Sequence, residues 1–473
     1  MLANKHVLVL GLGESGFAAA LWCCRQGARV RVADTRTAPP YLAVLQQRVA
    51  TPRSGIQGVQ SPGTNWQFEF IAGEFDKSLL VGIDILVLSP GLSGGLMVVI
   101  HARAAGIPVI GEIELFAQGL RELAGTKSVA PVIAITGTNG KTTTTALTGH
   151  LLAAIGQRVG VAGNISPAAL TALMEFQDNG ALPDVWVLEL SSFQLETTES
   201  LAPSAATVLN ISDDHLDRYI DLNDYASTKA RVFQGDGVQV INRQDSRVKR
   251  MMLAGRKAMS FGLDAPTNSS DFGLQEVAGS LWIMQGEQAL LPVDELAMSG
   301  LHNAANAMAA LALCCALGFD ATRFVPALKS FKGLPHRVEK IAEMDGVDWY
   351  DDSKGTNVGA TVAALEGLQR KVVVILGGDG KGQDFSYLTK AVKRHARAVV
   401  LIGRDGPLIE KTLVNCGVLM ESASDMSDAV KRAKKLAQRG DAVLLSPACA
   451  SYDMYRNYEH RAQVFVAAVK ELS

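Results

Sequence analysis

Short apolar runs rich in Val, Ile and Leu alternate with longer segments rich in Ala and Leu along most of this chain. That alternation predicts βαβ units and mainly parallel sheets, hence an α/β protein. The strand candidates are "HVLVLG", "DILVLS", "PVIAITG", "DVWVLEL", "ATVLNI", "KVVVILGG", "AVVLIG" and "DAVLLS". Nearly all end at a glycine, a serine or an acidic or amide residue, which places the chemistry at the carboxyl ends of the strands. From Ala307 to Phe319 thirteen residues pass without a charge. That stretch is too short to cross a bilayer and suits a buried helix. From about Arg48 to Asn65, "TPRSGIQGVQSPGTN" and its flanks show neither period, and a surface insertion is expected. One boundary falls near Gly111, where "EIELFAQGLREL" starts a helix-like stretch, and a second near Gly333, in "ALKSFKGLPHR". The expected domains are 1–111, 112–333 and 334–473, with no short solenoid repeat.

The length of 473 residues exceeds one ordinary core and fits three domains. Lys+Arg 45 against Asp+Glu 47 gives a net charge of −2, which excludes a general affinity for polyanions, so no nucleic-acid partner is expected. Two of the cysteine sites are adjacent pairs, Cys23-Cys24 and Cys314-Cys315, which bridge only with strain. A reducing compartment follows. The first residues lack the tripartite form of a signal peptide, and a cytoplasmic protein without membrane insertion is expected.

Two glycine turns compete for the function. In "VLVLGLGESGFAAA", Gly11, Gly13 and Gly16 have the G-x-G-x-x-G spacing, and Asp34 closes the next apolar run, as in a dinucleotide site. Downstream, "VIAITGTNGKTTTTALTGHLL" leads from a strand ending at Thr136 through Gly137, Thr138, Asn139, Gly140, Lys141, Thr142 and Thr143 into a helix. The unpaired N–H groups and dipole of that helix favour phosphate, Lys141 supplies a point charge, and the Thr142 hydroxyl suits Mg²⁺. Ile135 stands where a strict P-loop has glycine, so this is a shortened variant.

Further candidates sit at other strand ends. Glu189 closes the apolar strand of "DVWVLELSSFQLE", where a carboxylate can bind Mg²⁺, hold a metal-bound water or serve the structure. "NISDDHLDRY" clusters Asp213, Asp214, His215 and Asp217 at the end of another strand of the same sheet. Lys229, on a helix, reads by composition as a solvated surface lysine. "SGLHNAANAMAALALCC" places His302, Asn303 and Asn306 at the start of an apolar helix, where capping accounts for one amide but not both. In the last third, Arg337, Asp352, Ser353, Lys354, Thr356, Asp379, Lys381, Ser446, Ser451 and Tyr458 lie on four loops with cations suited to anionic ligands.

The ordered set "TGTNGKTT", "ELSSFQLE", "DDHLDRY", "HNAANA", "GLPHRVE", "DDSKGTN", "LGGDGKGQDF" and "SPACASYD" resembles the Mur ligases from Gly11 to about Arg461. "ELSSFQLE" and "SPACAS" narrow the resemblance to members that add D-glutamate. It implies an N-terminal Rossmann-like UDP-binding domain, a central P-loop ATPase-like domain with a mainly parallel sheet, and a C-terminal Rossmann-like domain that binds the amino acid and closes on ATP. The implied activity is ATP-dependent ligation of D-glutamate to UDP-N-acetylmuramoyl-L-alanine through an acyl phosphate, giving ADP and phosphate, in peptidoglycan precursor synthesis.

By the same resemblance, residues 137–143 hold the ATP phosphates, and Asn306, Arg337 and Asp352 contact the nucleotide. Thr142 and Glu189 hold one Mg²⁺ and His215 a second, with Lys229 carbamylated into an anionic metal ligand. Lys141, Glu189, His215 and Lys229 form the implied catalytic set. Ser15, Gly16, Asp34, Thr35, Arg36 and Gly91 line the uridine diphosphate cleft, and Asn164 the muramoyl-alanine arm. Lys354, Thr356, Lys381, Ser451 and Tyr458 position the glutamate and acyl phosphate. Tyr458 replaces the family's usual phenylalanine; a backbone contact is expected there, leaving the hydroxyl little to do. The insertion at 48–65 is a second departure. Closure of the last domain on a monomer is expected, excluding water from the acyl phosphate.

Overall fold

The computed structural model describes residues 2–50, 68–125, 129–214 and 218–472, which form three sheets in chain order. The first is five-stranded and parallel, in the order Phe68–Ala72, Arg29–Asp34, His6–Leu10, Ile85–Leu88, Val109–Ile110. The second has nine strands. Its parallel part runs Ala258–Phe261, Val238–Asn242, Ala205–Val208, Val132–Thr136, Val185–Glu189, Val159–Gly163. Antiparallel hairpins through Phe272–Val277, Ser280–Gln285 and Gln288–Pro292 extend one edge. The third has six strands, ordered Glu339–Met344, Val347–Asp351, Ala442–Leu445, Val372–Gly377, Ala396–Ile402, Leu419–Ser422, with only the first pair antiparallel.

All eight strand candidates are strands. Their unbroken Val/Ile/Leu character reflects burial on both faces, as in Val132–Thr136, where every residue is buried. The hairpin strands escaped notice because "FGLQEV" mixes polar and apolar positions without a long run. The apolar stretch from Ala307 lies in the helix Leu301–Ala316, which starts earlier, on polar His302 and Asn303. No helix among the described residues is long and apolar enough to cross a membrane. The segment expected as an aperiodic insertion begins inside a helix, Leu42–Ala50; residues 51–65 of it lie outside the described residues. All six cysteines are buried free thiols.

The sheets are joined in two different ways. One apolar cluster runs continuously from Trp22 beside the first sheet through Phe116 and Leu173 to Trp186 of the second. Phe116 meets Trp186 edge to face at 5.0 Å, and the backbone of Gly119 lies so close to Trp22 that a Cβ there would sit 2.6 Å from the indole. The third sheet has its own apolar clusters on its two faces. Its contacts with the loop after Thr136 are hydrogen bonds, from Arg337 to Thr142 and from Asn357 to Asn139. Beside these hydrogen bonds the helix Val358–Gly367 packs against the helix Leu301–Ala316, with Gly367 so close to His302 that a Cβ there would sit 2.4 Å from the imidazole.

Candidate active site

Register brings the central chemistry to one edge. Ile135 pairs with Glu189 and Thr136 with Val208, so the carboxylate and the loops after Thr136 and Val208 emerge side by side. The turn after Thr136 needs glycine twice. Gly137 has φ +147, and a Cβ there would press on the Leu209 backbone; Gly140 has φ +82, and a Cβ would lie 2.5 Å from Asn306 Oδ1. Asn210 staples the turn: its carbonyl accepts from Thr138 N–H at 2.9 Å, its Oδ1 from Asn139 N–H at 2.8 Å, and its Nδ2 donates to Asn139 O at 3.1 Å. Gly140 offers no capping side chain to the helix Lys141–Ala154, so the first N–H groups of that helix remain available to an anion.

Lys141 folds back to donate to Thr138 O at 2.8 Å. Burial, and the nearby Arg337 guanidinium, pull its ammonium below the ordinary lysine value, while Glu189 and Asp214 oppose that pull. Glu189 is 1% exposed. Its Oε1 accepts from Asn164 Nδ2 at 2.7 Å, and its Oε2 has no hydrogen-bond partner. A buried carboxylate oxygen left free beside a phosphate-binding turn fits a cation ligand. Asn164, expected at the substrate arm, is therefore engaged in orienting this carboxylate.

Lys229 corrects the compositional reading. It is 1% exposed, not solvated, with its amine 3.4 Å from Thr136 Oγ1 and 4.6 Å from the Tyr225 ring centre. Burial first, then the Lys141 charge, drives its pKa well below the usual value, which favours a neutral amine. His215 and Asp217 lie outside the described residues.

A cavity of about 150 Å³ separates the central and last sheets, lined by Asn139, Gly140, Thr143, Asn306, Arg337, Asp352 and Lys354 among others. Asn306 Oδ1 accepts from Thr144 Oγ1 at 3.3 Å and its Nδ2 donates to Asn303 Oδ1 at 3.2 Å, so its amide reaches the glycine turn by way of the helix Leu301–Ala316. Arg337 Nη2 donates to Thr142 Oγ1 at 2.6 Å. Burial lifts the Asp352 carboxyl to about 7 even though Ser446 Oγ donates to it at 2.7 Å. His302, pushed down to about 4 by burial, is neutral in this wall.

The first glycine turn is built differently. Gly11 has φ +83, and Gly16 packs so closely that a Cβ would overlap the Gly11 carbonyl. The helix Glu14–Arg25 starts without a side-chain cap. Asp34 is held from within the turn, because both its oxygens are occupied. Oδ2 accepts from Leu12 N–H at 2.7 Å and Arg36 Nη2 at 2.8 Å; Oδ1 accepts from Arg36 N–H at 2.9 Å and Nε at 2.8 Å. The Arg36 hydrogen bonds lead in pulling the carboxyl down to about 2. Asp34 thus supports the turn from within, leaving Thr35 and Arg36 exposed at its mouth, with Ser15 half-buried and Gly91 exposed beyond. Pro90, next to Gly91, accepts from Arg218 Nη1 at 3.0 Å, linking this loop to the central domain.

In the last domain the loop after Val372–Gly377 pairs with the loop after Ala442–Leu445 through two backbone hydrogen bonds between Asp379 and Ala450. Lys381 is exposed with φ +49, Thr356 half-buried and Ser451 buried. None of the three lines the cavity. Tyr458 accepts from Ser353 Oγ at its carbonyl, at 2.8 Å, and its hydroxyl lies 3.2 Å from Lys354 Nζ. The hydroxyl therefore has partners, contrary to expectation. Arg461, absent from the sequence reading, is 1% exposed and binds Ser353 Oγ, Ser353 O and Cys449 O, clamping two of these loops together. Asn210 and Asn357 were also missed; an amide ending the strand run "ATVLN" was the one available signal.

Comparison with known proteins covers most of the chain. Residues 5–111 match the Mur ligase MurD-like N-terminal domain, 135–314 the Mur ligase middle domain and 336–449 the Mur ligase glutamate ligase domain. The UDP-N-acetylmuramoylalanine-D-glutamate ligase of Aromatoleum aromaticum is 56% identical over 474 residues, spanning 100% of this chain and 98% of its own. The enzyme of the same name from Dechloromonas aromatica is 54% identical, spanning 100% and 99%. Among solved structures, the UDP-N-acetylmuramate-alanine ligase of Thermotoga maritima shares the fold, with a TM-score of 0.58, 18% identity, and 99% and 100% of the two chains covered.

Proposed function

The chain belongs to the Mur ligase family, and on that premise we propose that it joins D-glutamate to UDP-N-acetylmuramoyl-L-alanine while ATP is split to ADP and phosphate. The product is a peptidoglycan precursor, and the enzyme works in the cytoplasm as a monomer. The observation that carries this reading is the junction at the glycine turn: Arg337 of the last domain meets Thr142 while Glu189, one oxygen free, faces the same turn.

The residues fit a nucleotide with magnesium, since two glycines clear a cradle and a buried carboxylate oxygen is available to a cation. Thr142, once Arg337 turns from its hydroxyl to the nucleotide, would hold one Mg²⁺ with Glu189, and His215 with carbamylated Lys229 a second; such ions would supply charge neutralisation for the phosphates. The uncapped N–H groups at the start of the helix Lys141–Ala154, together with Lys141, would hold the phosphates, and Arg337 adds a cation from the facing domain. Asn306 positions the nucleotide at the helix Leu301–Ala316. A neutral buried Lys229 amine is the form that adds carbon dioxide, so its depressed pKa favours the carbamate. The first glycine turn, with Ser15, Gly16, Thr35, Arg36 and Gly91, receives the uridine diphosphate part. Asn164 orients Glu189 beside the muramoyl-alanine arm. Thr356, Lys381 and Ser451 hold the glutamate, whose amine displaces phosphate from the activated carboxyl. Positioning and charge stabilisation, not a covalent enzyme group, carry the rate.

Phosphate release from ATP with UDP-N-acetylmuramoyl-L-alanine tests the reading. D-glutamate should drive release, and L-glutamate, L-lysine and diaminopimelate should not. Equal release with another amino acid, or none with any, refutes it.

A further inference from the structure

Lys354 holds its charge among other cations. Burial first, then Arg337, pulls its ammonium below the ordinary value, and Lys141 adds to that pull, while Glu189 and then Glu459 oppose it. A carboxylate paired directly with it would steady the charge but cancel it for any anion in the cavity. The arrangement around Tyr458 avoids that. Lys354 Nζ lies 3.2 Å from the Tyr458 hydroxyl and 4.7 Å from the ring centre. An ammonium can only donate, so the hydroxyl oxygen accepts and its own proton goes elsewhere. It goes to Glu459 Oε1, at 3.0 Å. The other carboxylate oxygen, Oε2, accepts from Asn457 Nδ2 at 3.1 Å. Asn457 is fixed in turn as the N-cap of the helix Tyr458–Lys470, accepting from His460 N–H at 2.8 Å.

We propose that Tyr458 and Glu459 are positioning residues for Lys354: the hydroxyl fixes the ammonium at the cavity, and the carboxylate, one hydrogen bond further back, steadies the charge without neutralising it. This rests on the function proposed above and on the part that the family resemblance gives Lys354, positioning the glutamate and acyl phosphate. Burial and Glu459 raise the phenol to about 12, so at neutral pH the proton that joins the two is always in place. Phenylalanine at this position would keep the ring contact with the cation and the carbonyl bond to Ser353 Oγ, but would lose the acceptor.

Tyr458→Phe therefore isolates the hydroxyl. In the phosphate-release assay it should lower kcat about three- to tenfold while leaving KM for ATP within about twofold, the size of one charge-assisted hydrogen bond partly replaced by the remaining ring. The thermal midpoint should match wild type. Glu459→Gln should lower kcat less, and should add nothing in the Tyr458→Phe background, because it acts through that hydroxyl. Wild-type kcat in Tyr458→Phe, or an equal effect of Glu459→Gln in both backgrounds, overturns the proposal. If wild type itself shows no D-glutamate-dependent release, the assigned function fails and this inference with it; an active wild type with an insensitive Tyr458→Phe overturns this inference alone.

Discussion

Replacing Asn357 by serine separates two roles that one side chain combines. Its Oδ1 accepts from Ala360 N–H at 2.8 Å as the N-cap of the helix Val358–Gly367, and its Nδ2 donates to Asn139 Oδ1 at 3.1 Å across the junction with the glycine turn. Serine retains a capping oxygen but is too short to span the junction; alanine loses both functions. A part-buried neutral hydrogen bond contributes about 1 kcal/mol, which is about a fivefold change in the ratio of joined to separated domains. Loss of the cap costs a further ~1 kcal/mol. Asn357→Ser should thus lower kcat/KM for ATP in the phosphate-release assay by up to about fivefold, the full change applying when the separated form predominates before ATP binds, with the melting midpoint of wild type. Asn357→Ala should show the same kinetic loss and a lower midpoint. A serine variant with full kcat/KM would show that this bond does not hold the domains together, and one as unstable as the alanine variant would show that serine does not replace the cap.

Two more substitutions probe the buried charges. Lys229→Ala should abolish turnover, and short-chain carboxylic acids should restore part of it by supplying the missing anionic ligand; an active unrescued variant contradicts the role given to Lys229. Asp34 is held at about 2 in the folded chain, against about 3.9 for an unperturbed aspartate. Its stabilising effect is present above pH about 4 and lost as pH falls through about 2. Asp34→Asn should therefore be less stable than wild type at neutral pH, and acid unfolding followed by circular dichroism should show the gap closing between about pH 4 and 2. A constant gap across that window would remove Arg36 pairing as its cause.

What could be read from the chain was local. The glycine turn at 137–140 announces itself because strand, glycines, lysine and helix follow one another within a few residues. The parallel strands were legible because burial on both faces demands unbroken apolar runs. Asn210, Asn357 and Arg461 stayed hidden because each acts on a partner far along the chain, at separations of 71, 218 and 108 residues. For Asp34 the pairing is local but was unread: a guanidinium two residues away takes up the carboxylate whose place after Gly16 suits a ribose. Lys229 has no signal of burial in its composition, since the helix Leu222–Ala230 turns polar residues to both sides and only the fold decides which enter. The Tyr458 hydroxyl looked idle until Lys354 was found beside it.

The central claim is that the two domains meeting at Thr142 activate a carboxyl group by phosphorylating it. UDP-N-acetylmuramoyl-L-alanine labelled with heavy oxygen in its carboxylate, incubated with ATP, D-glutamate and the enzyme, tests this most directly when the released phosphate is weighed by mass spectrometry. Each phosphate should carry a single heavy oxygen atom from the substrate. Unlabelled phosphate, formed at the same rate as the new amide, would contradict the account.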